Sequence, residues 1–96
     1  MMEMHLMIYG RVQHVGFRRF VVRKANSLNI SGWVRNRFDG AVEVYAKAPA
    51  DKLSLLQDAC YKGPIFANVI RVDVLSEDNS CKQLMVPERF IVLDNF

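Results

Sequence analysis

The sequence predicts an α+β sandwich in the order βαββαβ, with one antiparallel sheet carrying two helices on one face. Three observations lead there. Several short segments are apolar throughout or alternate at period two, as strands do. Two longer segments repeat their apolar residues at helical spacing. Gly, Pro, Asn and Asp punctuate the joints, and each helix has a strand on either side.

The first strand is "MHLMIYG", residues 4–10, apolar and bounded by Gly10. The first helix covers 17–29, with Phe17, Phe20, Val21, Lys24, Ala25 and Leu28 on one stripe. Lys24 can keep its ammonium in water from such a position. The second strand is "SGWVRNRF", 31–38; period two sets Trp33 and Arg35 on one face and Val34 and Asn36 on the other. A turn follows at 38–40, where Asp-Gly favours a hairpin. In the third strand, 41–48, Val42, Val44 and Ala46 oppose Glu43, Tyr45 and Lys47. That alternation reads as one buried face and one wet face, with Tyr45 at the surface.

Pro49 and Asp51 suit the start of the second helix. Leu53, Leu56 and Cys60 form its stripe, widened by Leu55 and Ala59, and Gly63-Pro64 stops it. "ANVIRVDVL", 67–75, alternates as a fourth strand. "SEDNSCKQ" reads as a polar loop, and "RFIVL", 89–93, as a last strand. His5 reads as a strand-end residue without a role. A chain in this order folds most simply as a split βαβ, the ferredoxin-like sandwich. That fold carries enzymes, RNA-binding modules and metal carriers, so function has to come from the site.

The 96 residues suit a single domain over 1–96, long enough for one core. Hydrophobic content of 51% and charged content of 24% are ordinary for a globular protein. A net charge of +3 without any dense Lys/Arg block gives little support to an anionic partner; most such charges solvate a surface. Cys60 and Cys81 form no CxxC pair and lie far in sequence from His5 and His14, so no metal site is expected. Two isolated cysteines without a secretory signal suit a reducing cytoplasm. No apolar run approaches the ~18 residues of a membrane span.

The stretch "GRVQHVGFRR", residues 10–19, carries the chemistry. It joins a strand to a helix whose first N–H groups lack intrahelical partners and carry partial positive charge. Gly10 and Gly16 permit a tight backbone path, and successive N–H groups there can converge on an anion. Arg18 is unfavourable toward the helix dipole unless an anion sits between them. Its guanidinium also matches a phosphate bidentately. Two readings stand side by side: an oxyanion cradle, or a solvated arginine after a glycine-shaped turn. The stretch is neither a P-loop nor a dinucleotide fingerprint.

"GRVQHVGFR" and "SGWVRNRFDGAVEV" together resemble the acylphosphatase family. Gly10, Val12, Gln13, Val15, Phe17 and Arg18 match its first signature, G-x-V-Q-G-V-x-F-R. Gly32, Trp33, Val34, Arg35 and Asn36, then Gly40 and Val42, match its second. "GPIFANVIRVDV" is similar as well, and the likeness spans roughly 5–93. The resemblance implies the ferredoxin-like fold and hydrolysis of acyl phosphates to carboxylate and phosphate. It implies that the loop residues Gln13, His14, Val15, Gly16, Phe17 and Arg18 hold the phosphoryl group, and that Asn36 orients the attacking water. It implies no metal, no cofactor and no covalent intermediate. The expected partners are a small acyl phosphate and inorganic phosphate, with no nucleic acid and no membrane, acting on a monomer.

The sequence departs from the family at His14, where the family has Gly. Three readings stay open. The imidazole points to solvent; or it lies beside the phosphate and adds charge when protonated; or it crowds the pocket. Two other functions compete. A non-catalytic, regulatory domain of this family is one. The other is an RRM-like RNA-binding module, which needs paired aromatics on the first and third strands that "AVEVYAKA" does not supply.

Overall fold

The structure is a computed structural model that describes residues 2–75, 89–93 and 95. Its elements are β1 (Met2–Arg11), α1 (Phe17–Ser27), β2 (Ser31–Asn36), β3 (Val42–Ala48), α2 (Ala50–Lys62), β4 (Asn68–Leu75) and β5 (Phe90–Val92). The strands form one sheet in the order β4-β1-β3-β2-β5. This is the expected ferredoxin-like arrangement: β1–β3, β1–β4 and β2–β3 pair antiparallel. The sheet is mixed, however, because β5 joins the β2 edge in parallel. Cys81 and the expected polar loop lie outside the described residues.

The main core lies between sheet and helices. Leu6 and Ile8 of β1, Val34 of β2 and Val42, Val44 and Ala46 of β3 meet Phe17, Val21 and Ala25 of α1 and Leu53, Leu56 and Cys60 of α2. Period two on the strands thus meets the helical stripes read from the sequence. Helix α1 ends two residues earlier than its apolar spacing suggests. Asn29 takes a left-handed φ of 57°, Ile30 N–H reaches Ala25 O at 2.9 Å, and Asn29 N–H reaches Asn26 O at 3.2 Å. These two bonds form a Schellman close, which satisfies the last carbonyls and turns the chain into β2. Asn26 then clamps the far edge strand: Phe90 N–H donates to its Oδ1 at 3.1 Å.

The second face of β3 is not wet. Only Lys47 is exposed; Glu43 and Tyr45 are buried. The physical reason is that β3 is central, with β1 and β2 on either side. Tyr45 pairs across the strands with His5 and with Trp33. The Tyr45 and Trp33 rings stack at 5.8 Å, and His5 meets both edge-on. His5 is therefore no idle strand-end residue. Its Nε2 donates to Glu43 Oε2 at 2.6 Å, while Arg35 Nε donates to Oε1 at 2.7 Å. Arg37 Nη1 reaches the same Oε1 at 3.5 Å. Each lone-pair side of a buried carboxylate thus meets a donor, as burial of charge demands.

Burial alone would raise the Glu43 pKa, but the His5 and Arg35 hydrogen bonds and charges lower it from 4.5 to about 2. Glu43 then adds stability that is fully present above pH 4.5 and is lost as pH falls toward 2. The linkage is worth at most about 3 kcal/mol. In Glu43→Gln, stability at pH 7 should fall and the loss between pH 5 and 2 should flatten. Urea unfolding at several pH values measures both; parallel curves for the two proteins would remove Glu43 from the acid response.

Candidate active site

The loop from residue 12 to 16 is pinned at alternate positions. Val12 and Phe17 are fully buried, and Val15 packs on the core. His14 and Gly16 face outward, with left-handed φ of 63° and 79°. Left-handed residues alternating with their neighbours turn successive N–H groups toward one side, the geometry of an anion nest. Gly16 is the N-cap of α1 and supplies no side-chain hydrogen bond. The first intrahelical bond runs from Phe20 N–H to Gly16 O at 3.0 Å. The amides of Phe17, Arg18 and Arg19 therefore have no intrahelical acceptor.

Gln13 does something the sequence did not reveal. Its Nε2 donates to Arg37 O at 2.7 Å and to Ala41 O at 3.0 Å. Those carbonyls flank the β2–β3 hairpin, 24 and 28 residues away. Arg37 N–H closes the hairpin on Ala41 O at 2.9 Å, and Asp39 Oδ1 accepts Ala41 N–H at 3.0 Å. The Gln13 side chain thus faces the hairpin, and only its backbone can serve an anion. The same holds for Val15 and Phe17, whose side chains face the core. Gly10, near the end of β1, allows the close approach of β4: a Cβ there would lie 2.2 Å from Asn68 O.

The loop opens on a cleft of about 530 Å3 lined by Val12, His14, Gly16, Phe17, Arg18, Arg19, Val22, Asn36 and Val92. The structure thus brings Arg18, His14 and Asn36 together, from a loop, a helix start and a strand end. Asn36 arrives by strand parity, since it shares the helix-side face of β2 with Val34. It is 3% exposed, and its buried Oδ1 has no hydrogen-bond partner among the described residues. A buried acceptor without a partner, on a residue that lines a cleft, is a place for a water or ligand donor. Arg18 Nη1 makes one long contact, 3.4 Å to Asn95 Oδ1. Val92 places the C-terminal strand at this cleft, and Asn95 reaches Arg18 beside it, which no sequence motif signalled. The opposite sheet face offers no RNA platform through Tyr45, which is 3% exposed.

The acylphosphatase family model matches residues 4–90. An acylphosphatase from Synechococcus sp. is 56% identical over 66 residues, covering 69% of this chain and 80% of that protein. One from Salinibacter ruber is 51% identical over 67 residues, covering 70% of each chain. The crystal structure of acylphosphatase from Bacillus subtilis superposes with a TM-score of 0.84 at 35% identity, covering 97% of this chain and 99% of that one.

Gln13→Leu keeps the side chain's bulk and removes both donors to the hairpin. It should cost about 1–3 kcal/mol of stability from the two lost bonds, each carbonyl keeping one backbone donor. Urea unfolding checks this; an unchanged midpoint would mean that water replaces Gln13 without loss.

Proposed function

The chain belongs to the acylphosphatase family, hydrolases that act on acid anhydrides, and from that premise we propose how its cleft performs the reaction. The phosphoryl group of an acyl phosphate sits on the loop amides of residues 11–18 at the α1 N-terminus. Arg18 holds two of its oxygens. The amides, the helix dipole and the guanidinium stabilise the charge that spreads over those oxygens as the P–O bond to the acyl group lengthens. Asn36 hydrogen-bonds a water and aims it at phosphorus, opposite the leaving carboxylate. As the new P–O bond forms and the old one breaks, a phosphate oxygen takes the water's proton. Carboxylate and phosphate leave. The amide of Asn36 is neutral, so it orients water without repelling the phosphate.

The observation that carries this reading is the buried, open Oδ1 of Asn36 in the same cleft as Arg18 and the uncapped helix start. An acceptor kept dry and unpaired costs about 1–3 kcal/mol, which a bound water recovers. Because positioning and charge stabilisation suffice, the proposed reaction draws on no metal, cofactor or covalent intermediate. In this reading the chain acts as a monomer, and residues 1–96 act as one domain. The partners are a small acyl phosphate and inorganic phosphate, without nucleic acid or membrane. No helix among the described residues is long and apolar enough to cross a membrane. Cys60 is a free thiol that burial pushes up to about 12, so it stays protonated. We assign the reaction to the reducing cytoplasm on the ground of the two separate cysteines.

Arg18→Ala should lower kcat/KM for benzoyl phosphate by an amount matching about 2–4 kcal/mol and weaken inhibition by inorganic phosphate, with the circular dichroism unchanged. Near-normal turnover, assayed in EDTA without added metal, would refute the cradle.

Asn36→Ala should depress kcat by about 100-fold or more while phosphate still inhibits at a similar concentration, because the water matters most as the transition state forms. Loss of phosphate affinity in step with kcat would make Asn36 part of the cradle instead.

A further inference from the structure

The first turn of α1 holds two arginines, and the phosphoryl group answers for only one. Arg19 is exposed and lines the same cleft as Arg18. That turn contains no acidic residue, whereas α2 has Asp51 in its own first turn. A cation at a helix N-terminus costs roughly 0.3–1 kcal/mol. Arg19 has no hydrogen bond or ion pair among the described residues that would offset this.

His14, also in the cleft lining, presents the same anomaly. Its left-handed φ of 63° is a strained conformation, on the order of 1 kcal/mol for a residue with a side chain. The ring is exposed, lines the cleft and packs on neither core cluster. Strain without packing in return points toward a ligand. The cleft is also lined by Val12, Phe17, Val22 and Val92, and among the described residues no carboxylate lines it. The buried Asn36, whose Oδ1 has no partner among the described residues, lines the same cleft.

We propose that this cleft selects acyl phosphates whose acyl group ends in a carboxylate, with Arg19 and His14 holding that second charge at the rim. The inference deepens the acyl phosphate reading above and rests on it. Arg19 offers a carboxylate a planar fork of donors, and His14 donates one hydrogen bond whether or not it is protonated. One guanidinium and one imidazole, with the helix amides already committed, match a singly charged carboxylate better than a second dianionic phosphate. The valine walls hold a short methylene chain between the two charged ends. The reacting bond is unchanged: water still displaces carboxylate from phosphorus, and the distal carboxylate takes no part in the transfer.

The test compares kcat/KM for succinyl phosphate, which has the distal carboxylate, with that for benzoyl phosphate, which lacks it. In Arg19→Gln the succinyl-to-benzoyl ratio should fall about tenfold, and Arg19→Lys should restore part of it. His14→Gly should lower the same ratio by a smaller factor. Arg23→Gln removes one positive charge from an exposed position on α1 outside the cleft, and it should leave both constants within twofold. If the ratio does not move in Arg19→Gln, or falls as far in Arg23→Gln, the second-charge site is wrong while the acyl phosphate reading stands. If the unaltered protein hydrolyses neither compound, that reading fails and takes the inference with it.

Discussion

The site depends on one side-chain amide that ties two distant parts of the chain. Gln13 donates from the loop to Arg37 O and Ala41 O of the hairpin. Without that bridge, the loop before α1 and the strand end that carries Asn36 would meet only through their packing. The hydrogen bonds make their spacing a fixed quantity. Positioning is most of what phosphoryl transfer asks of a protein, and an error of an ångström is costly there.

The bridge is itself held from behind. Arg37, whose carbonyl Gln13 uses, sends its guanidinium toward Asp39 and Glu43. Glu43 is fixed by His5 and Arg35 on the sheet face away from the helices. Strands β1, β2 and β3 thus share one buried carboxylate, and that carboxylate steadies the hairpin next to the site. A buried ion pair contributes little net stability over an apolar replacement, but breaking one side of it is expensive. Its value here is geometric, since it sets how the hairpin leaves the sheet.

Electrostatically, the cleft is one-sided. Helix amides, two arginines and a histidine border it, and among the described residues no carboxylate does. A chain with a net charge of only +3 thus places two of its thirteen Lys and Arg residues on this one cleft. The bulk charge concealed this, because most of the other cations are spread over the surface or paired.

The sequence by itself determined the order of elements, the helix-side core and the faces on which Arg18 and Asn36 stand. Strand parity alone put Asn36 beside Val34 on the face that the helices cover, and the glycine-flanked turn put Arg18 at a helix start. These are local properties: each segment's period tells which of its own residues share a face. Tertiary structure decided the rest. It placed β5 in parallel on the β2 edge, sent the Gln13 amide to a hairpin 24 residues away, and buried Glu43, Tyr45 and His5 on a face that alternation marked as wet. It also gave His14 its left-handed backbone within the cleft. Periodicity is silent on all four because it describes a strand or turn alone. What lies opposite a residue is set by register and by strand neighbours, which arise only when the sheet assembles.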